Sequence, residues 1–141
     1  MIIENTTQIE DFDSALLRDP QPRYHILLVD DDTSLREFHA EVLIRSGYVV
    51  DTAADGAIAW NTLNEKGYDL LITDNNMPKL TGLELIKQMR SEGMELPVIL
   101  ASGTVPMEEL NQNSRLRIEF TLPKPFKTDE LLAAVKKVLC K

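Results

Sequence analysis

The sequence feature that most restricts the possible folds of this chain is a set of three short apolar runs, separated by segments with helical periodicity. A strand covered by helices on both faces is apolar at nearly every position, whereas a strand with one solvent-facing side alternates. Repeated strand and helix units favour a parallel sheet with helices on both sides. We therefore predict that three runs form the centre of such a sheet: His25–Val29, Asp69–Thr73 and Val98–Ala101.

Two more strands are predicted outside this centre. Tyr48–Thr52 is one of them. Ile118–Leu122 alternates apolar with polar residues, which is typical of an edge strand with one wet face. The sequence therefore predicts an α/β fold built on a five-stranded parallel sheet.

Five helices are predicted around the sheet. Ser34 to Glu37 fits a capping box that opens the first helix, and Gly47 ends it. Thr128 is the predicted cap of the last helix. The helix predicted at 106–113 has little apolar periodicity. The other predicted core faces are Leu35, Phe38, Val42 and Leu43 in the first helix; Ala59, Trp60 and Leu63 in 57–66; Leu83, Ile86 and Met89 in 82–91; and Leu131, Leu132, Val135, Val138 and Leu139 in the last.

Charge and composition exclude several classes of function. The 141 residues include 23 acidic and 15 basic ones, a formal net charge of -8, which argues against a surface that follows nucleic acid or anionic lipid. A single cysteine, Cys140, excludes an internal disulfide. No secretory signal and no apolar stretch of membrane-spanning length is present. We expect a cytoplasmic protein without membrane insertion.

The chain divides into two predicted regions. Residues 1–23 are acidic, contain Pro20 and Pro22, and are predicted to be a flexible extension. Residues 24–141 are predicted to form one domain. Because the chain ends shortly after the last predicted helix, we expect no separate DNA-binding or catalytic output domain.

Polar residues with related chemistry follow the predicted strands. In a parallel sheet of this kind, ligands bind beyond the carboxyl ends of the strands. Clustered carboxylates raise one another's pKa and usually imply a bound cation, and oxygen-only ligands suit Mg²⁺. The residues at these positions are Asp30, Asp31 and Asp32 after the first strand, Asp74 after the third, Ser102 after the fourth and Lys124 after the fifth.

This set of residues has the groups needed for phosphoryl transfer. An aspartate beside a cation can attack phosphorus and form an acyl phosphate, while a hydroxyl and an ammonium stabilise the phosphoryl oxygens. Each residue also has a simpler explanation when taken alone: Asp32 as a helix cap, Ser102 as a turn residue and Lys124 as a solvated loop lysine. Their joint placement at successive strand ends favours the chemical interpretation.

The same residues resemble the CheY-like receiver domains of two-component response regulators, over about residues 24–140. The motifs occur in the order and with the separations of that family. The resemblance implies a doubly wound, flavodoxin-like sheet of strand order 2-1-3-4-5 with five helices. The stretches that carry it are Ile26–Asp32, Leu71–Pro78 with Gly82, Val98–Gly103 and Leu122–Phe126.

The resemblance also implies a phosphoacceptor and a metal site. Asp74 would accept the phosphoryl group. Asp31, Asp74 and the backbone carbonyl of Asn76 would ligate Mg²⁺ directly, and Asp30 would assist through water. The expected donor is a sensor histidine kinase or a histidine phosphotransfer protein, and a downstream effector protein would read the result. The chain would not be a turnover enzyme, because it assists only its own phosphorylation and dephosphorylation.

The resemblance further implies which residues contact the phosphoryl group and which residues carry the conformational switch that follows phosphorylation. Ser102 and Lys124 would contact the phosphoryl group, and the Lys124–Pro125 peptide would be cis. Thr121 stands three residues before the lysine, where the family usually has an aromatic residue. We therefore expect Phe120, or a shift of the helix at 106–113, to carry the change that starts at Ser102, with a purely structural role for Phe120 as the simpler alternative.

Three rival functions fit the sequence less well than a receiver domain does. A haloacid-dehalogenase-like phosphatase would use Asp30 as nucleophile in the run Asp30–Ser34, but it needs a later acidic pair, and only Asp129 and Glu130 follow Lys124. An inert receiver-like interaction module would be expected to have lost part of the charged set. A nucleotide-binding domain would need a glycine-rich loop after the first strand, where this chain has an acidic run.

Overall fold

The computed structural model describes residues 23–103 and 114–140, which form five strands, four α-helices and one 3-10 helix. The predicted helix at 106–113, and the predicted extension apart from Arg23, lie outside the described residues. Within the described part, no helix has the length and apolar character that crossing a membrane requires. The strands are β1 (His25–Val29), β2 (Val49–Ala53), β3 (Leu70–Asp74), β4 (Val98–Ser102) and β5 (Phe120–Pro123). The helices are α1 (Thr33–Arg45), α2 (Gly56–Glu65), α3 (Gly82–Ser91), the 3-10 helix Ser114–Leu116, and α4 (Thr128–Leu139).

The five strands form one parallel sheet in the order β2-β1-β3-β4-β5. This confirms the predicted strand order and the central position of the three apolar runs. β3 and β4 are buried at every position, and β1 at every position except His25. β2 and β5 are the edge strands, and in β5 only Leu122 is buried.

Hydrophobic cores lie on both faces of the sheet. Successive side chains of a strand point to opposite faces, so Leu27 and Val29 join one core while Ile26 and Leu28 join the other. The first core contains the apolar residues of α2 and α3, and the second contains those of α1 and α4. Each fully buried leucine or isoleucine contributes roughly 1.5–3 kcal/mol, so the two cores together hold the sheet between its helix layers.

The first helix confirms one of its two predicted caps and faces differently from the prediction. Asp32 is its N-cap, as its simpler explanation predicted, because the Asp32 carboxylate accepts the Leu35 amide at 3.0 Å; the capping box predicted at Ser34 is wrong. Leu35 and Phe38, which were predicted to face the core, are 40% and 53% exposed. Leu43 is fully buried. At ~100° per residue, Phe38 lies about 140° around the helix axis from Leu43, so the two cannot share a face.

The last helix has the predicted apolar stripe but a different cap. Thr128 is its first helical residue, and Lys127 occupies the N-cap position. The Lys127 amide donates to the Glu130 carboxylate at 2.7 Å. A glutamate three residues into a helix satisfies the first free amide in this way, so the predicted cap at Thr128 is wrong.

Candidate functional site

The carboxyl ends of four strands bring the predicted site residues together. Asp30 follows β1, Asp74 ends β3, Ser102 ends β4 and Lys124 follows β5. These four strands are consecutive in the sheet and all parallel, so their carboxyl ends lie along one edge. The Lys124 amide donates to the Ser102 carbonyl at 2.9 Å, which continues the β4–β5 ladder into the site.

Three carboxylates form an acidic cluster at this edge. One oxygen from each of Asp30, Asp31 and Asp74 lies within 4.8 Å of the others. Asp30 and Asp74 are each only 5% exposed, whereas Asp31 is exposed. The Asp32 amide donates to the Asp30 carboxylate at 3.0 Å, and the Arg36 guanidinium donates to the Asp30 carbonyl at 2.8 Å. Buried like charges are costly without a shared cation, and the oxygen-only donor set fits Mg²⁺.

A lysine and a serine complete the site beside Asp74. The Lys124 ammonium lies 3.2 Å from Oδ1 of Asp74, and Lys124 is one-quarter exposed. Ser102 is 3% exposed. The Lys124–Pro125 peptide is cis, as predicted. The site therefore presents a buried carboxylate between an acidic cluster on one side and a cationic group on the other.

The loop after Asp74 is held by Asn75, whose part in the site was missed at the level of sequence. The Asn75 amide donates to the Ala101 carbonyl at 2.8 Å. Its side-chain oxygen accepts the Leu83 amide at 2.9 Å, and its carbonyl accepts the Gly82 amide at 3.2 Å. Asn75 thus ties the end of β3 to the first turn of α3. An asparagine between a strand and a helix start is the available sequence signal, because asparagine side chains readily bond nearby backbone.

Burial raises the pKa of the Asp74 carboxyl above its ordinary value. The Lys124 ammonium acts in the opposite direction, both as a charge and as a hydrogen-bond donor. The Asp30 carboxylate raises the pKa again, and the Asn76 amide, 3.4 Å from Oδ1 of Asp74, lowers it. The pKa of Asp74 is therefore set first by burial, which raises it, and then by two charged neighbours that act in opposite directions. The role of the Asn76 carbonyl as a metal ligand stays a prediction.

An apolar groove of about 290 Å³ adjoins the site, between α1 and the loop after β5. Leu35, His39, Lys124, Pro125 and Phe126 line it. The His39 ring stacks on the Phe126 ring, with 5.0 Å between centroids and 28° between planes. The stack ties α1 to the loop that carries Lys124. No local sequence pattern indicates this contact, because the two residues are distant in the chain.

Partial burial of His39 predicts a pH-dependent stability contribution. Burial lowers the pKa of His39, and the charge of Asp30 opposes this while that of Lys124 adds to it. The unfolded chain therefore binds the proton more readily than the folded one. The contribution of neutral His39 to the free energy of unfolding is fully present above the ordinary histidine pKa of ~6.5. It is lost as the pH falls below that value.

We expect the free energy of unfolding of wild type to fall relative to that of His39→Gln between pH 7.5 and pH 5. The relative change should stay below about 1 kcal/mol, because the ring is only partly buried and solvent screens its charge. Urea unfolding of both proteins at the two pH values measures it. His25 is present in both proteins and cancels in the comparison, and an identical pH slope for the two would contradict the assignment.

The residues predicted to read out the switch lie on β5. Phe120 pairs in register with Ile99, and Thr121 with Leu100. Phe120 is half-buried against the second core, with the Lys137 ammonium 5.5 Å from its ring centroid. This packing agrees with a purely structural role for Phe120, and its part in a conformational switch stays a prediction.

A doubly wound sheet with an acidic cluster, a buried serine and a lysine at its strand ends is the architecture of a receiver-type signalling domain. The chain belongs to the response regulator receiver domain family, whose family model matches residues 26–136.

Individual relatives agree with this assignment. The response regulator MprA of Mycobacterium ulcerans is 37% identical over 114 residues, which cover 81% of this chain and 49% of that protein. This chain thus spans about half the length of the curated relatives it matches. The chemotaxis protein CheY4 of Vibrio cholerae is similar in structure, with a TM-score of 0.76 and 32% identity, covering 84% of this chain and 100% of that one. The response regulator TrrA of Thermotoga maritima, solved in complex with Mg²⁺ and BeF, has a TM-score of 0.73 and 33% identity, covering 82% of this chain and 99% of that one.

Proposed function

We propose that this chain is the phosphoaccepting receiver of a two-component phosphorelay, with Asp74 as the acceptor of a phosphoryl group from a sensor histidine kinase or a histidine phosphotransfer protein. The observation that carries the proposal is the Lys124 ammonium, 3.2 Å from the Asp74 carboxylate at the rim of the acidic cluster. An Asp74 oxygen would bond to phosphorus as the nitrogen–phosphorus bond of the donor histidine breaks. The electron pair of that bond would stay with the imidazole, which takes up a proton.

The acidic cluster would hold Mg²⁺ through Asp31, Asp74 and the Asn76 carbonyl, with Asp30 assisting through water. The three carboxylates lie within 4.8 Å of one another and fit a hard cation, and the complex of the Thermotoga relative with Mg²⁺ and BeF supports this. When bound, the ion supplies positive charge between the carboxylates and the phosphoryl oxygens. A cation beside Asp74 would also lower the raised pKa of its carboxyl, which favours the nucleophilic form.

Ser102 and Lys124 would bind the phosphoryl oxygens. Ser102 is almost fully buried, so a hydrogen bond from its hydroxyl to a charged oxygen would form in a medium of low dielectric. Lys124 already lies beside the acceptor oxygen. Donors held in place before the reaction stabilise developing charge without reorganisation.

The new contacts of Ser102 and Lys124 would bias the segment between them toward the active conformation. A phosphoryl group can shift a two-state equilibrium only through contacts that differ between the states. Phe120 and Thr121 lie on β5, which Lys124 directly follows, so a displacement of this lysine would reach both. An effector protein would read the change on this surface. The acidic chain would act without direct contact to nucleic acid.

The phosphatase alternative is disfavoured by the position of the lysine. That chemistry would make Asp30 the nucleophile. The Lys124 ammonium, however, lies 3.2 Å from the Asp74 carboxylate, and the Asp30 carboxylate accepts the Asp32 amide. The chain would therefore assist its own phosphorylation and dephosphorylation and would not turn over an external substrate.

Incubation with acetyl phosphate and Mg²⁺ should add one phosphoryl group to the full chain. Because Asp74 is the acceptor, we expect Asp74→Asn to lose the labelling completely. Because the acidic cluster holds the cation, omission of Mg²⁺ should reduce the rate by roughly 100-fold or more. Intact-protein mass spectrometry over time measures both effects.

Asp129→Asn is the matched control, since Asp129 is exposed in the first turn of α4 and lies outside the cluster. It should be labelled at the wild-type rate. Undiminished labelling of Asp74→Asn would show that another residue is the acceptor, and continuous phosphate release from a general phosphomonoester would favour the phosphatase alternative.

A further inference from the structure

A cavity of about 540 Å³ lies away from the acidic cluster and is lined by Arg90, Ser91, Arg115 and Arg117. α3 begins beside the Asp74 loop and ends at Ser91, about 13 Å away at 1.5 Å per residue. Arg117 precedes β5, whose other end leads to Lys124. The cavity therefore lies at the amino ends of the strands, opposite the site proposed for phosphorylation.

Three arginines line this cavity in a chain with a net charge of -8. Burial lowers the pKa of Arg90, and the charge of Arg117 lowers it further, which shows that the two cations repel each other. Glu119 and Glu95 act in the opposite direction. The contact of Arg117 with Glu95 is long, 3.9 Å, and both side chains are more than half exposed, so this pair contributes little.

Arg90 is fixed in place by backbone carbonyls. Its Nε donates to Leu116 at 2.8 Å, and its two terminal nitrogens donate to Met94 at 2.8 Å and to Arg117 at 3.3 Å. These bonds join the end of α3 to the segment before β5, so the part of the cavity wall that Arg90 forms is held in place before any ligand arrives. A preformed site loses less entropy when it binds.

The backbone of Arg117 gives an independent reason to assign a role to its side chain. Its φ angle is +51°, in the left-handed region that disfavours residues with a Cβ. Glycine would adopt this conformation without strain, so the fold does not require arginine here. Non-glycine residues held in this region concentrate at functional sites.

We propose that this arginine cavity binds a small phosphate-bearing anion. Guanidinium groups match phosphate oxygens through paired hydrogen bonds, and three of them suit a group with several charged oxygens better than a single carboxylate. The volume lies within the ~300–1,000 Å³ typical of small-molecule sites. Within the part of the chain that the structure describes, the four residues that line the cavity carry no aromatic ring, so they would recognise the phosphate and not a stacked ring.

Titration of the full chain with inorganic pyrophosphate, without Mg²⁺ and at low ionic strength, tests the site. Calorimetry gives the Kd, and NMR of the arginine Nε–Hε groups locates the binding. We expect saturable binding with shifts at Arg90, Arg115 and Arg117, and an increase in Kd of at least ~10-fold in Arg117→Gly and in Arg115→Ser. Arg117→Gly keeps the fold, because glycine accepts the left-handed backbone.

Arg45→Ser is the matched control, since Arg45 is an exposed arginine on α1 that contacts Glu41. It should bind pyrophosphate as wild type does. A parallel titration with ADP separates free pyrophosphate from a nucleotide as the source of the phosphate groups, and either ligand acting through these arginines supports the proposal. Absence of saturable binding of both ligands, or an equal loss of affinity in Arg45→Ser, would overturn it.

Discussion

Replacement of Gly82 by alanine is expected to lower the free energy of unfolding by roughly 2–4 kcal/mol. A Cβ at this position would lie 2.5 Å from the carbonyl oxygen of Asp74, 3.0 Å from the Cα of Asn75 and 3.0 Å from Leu100. Two of these atoms are backbone and cannot rotate away. Relief of the clash would separate the first turn of α3 from the Asp74 loop and weaken the bond from the Gly82 amide to the Asn75 carbonyl.

Gly82→Ala should also slow phosphorylation, because the atom with the shortest clash is the carbonyl oxygen of the acceptor residue itself. Gly67→Ala is the matched control: no atom lies within 4 Å of its added Cβ, and its backbone is outside the left-handed region. Its free energy of unfolding should stay within about 1 kcal/mol of wild type, or rise slightly through the unfolded state. Urea unfolding with comparison of m-values measures both variants. Equal stability of the two would mean that α3 can move away from β3 at little cost.

The sheet and the site could be predicted because their signals lie within short stretches of sequence. An apolar run such as Val98–Ala101 identifies a strand buried on both faces wherever it pairs. The chemistry of Asp30, Asp74 and Lys124 follows from their positions directly after such runs, since parallel strands place these ends along one edge. Identifying the strands was therefore enough to predict that residues as distant in the chain as Asp30 and Lys124 lie close together.

Features that depend on contacts between distant elements could not be predicted. How α1 rests on the sheet decides which part of its wide apolar surface faces the core, so Leu43 is buried while Phe38, on the far side of that surface, is exposed. Asp51 reads only as a polar residue within a strand. In the structure its carboxylate accepts from Tyr68 at 2.6 Å and lies 3.1 Å from both His25 and Lys66. No local pattern links these four residues.

The second large effect is expected for Lys124→Ala, which removes the ammonium beside the acceptor. Because this group would stabilise charge on the phosphoryl oxygens, labelling by acetyl phosphate should slow by about 100-fold or more, the usual loss for one preorganised donor. Stability should fall as well. The Asp74 carboxylate would remain buried beside Asp30 without its cationic partner, and truncation of one member of a buried pair typically costs a few kcal/mol.

The loss of stability has a defined dependence on pH. Lys124 lowers the pKa of the Asp74 carboxyl, so the variant should have a higher Asp74 pKa than wild type. The difference in free energy of unfolding is largest at a pH where the Asp74 carboxyl is charged in both proteins. As the pH falls through the Asp74 pKa of the variant, the carboxyl becomes neutral and the difference shrinks. Urea unfolding at pH 7.5 and pH 4.5, without Mg²⁺, measures this.

Lys127→Ala provides the comparison, because Lys127 is exposed three residues away. Its backbone amide, not its side chain, makes the bond to Glu130, so the helix cap survives the substitution. Lys127→Ala should retain the wild-type labelling rate and show no comparable pH-dependent loss. If Lys124→Ala and Lys127→Ala slowed labelling equally, the ammonium beside Asp74 would act only through the overall charge of the protein. A large selective effect at Lys124, greatest near neutral pH for stability, would identify it as the direct partner of the acceptor carboxylate.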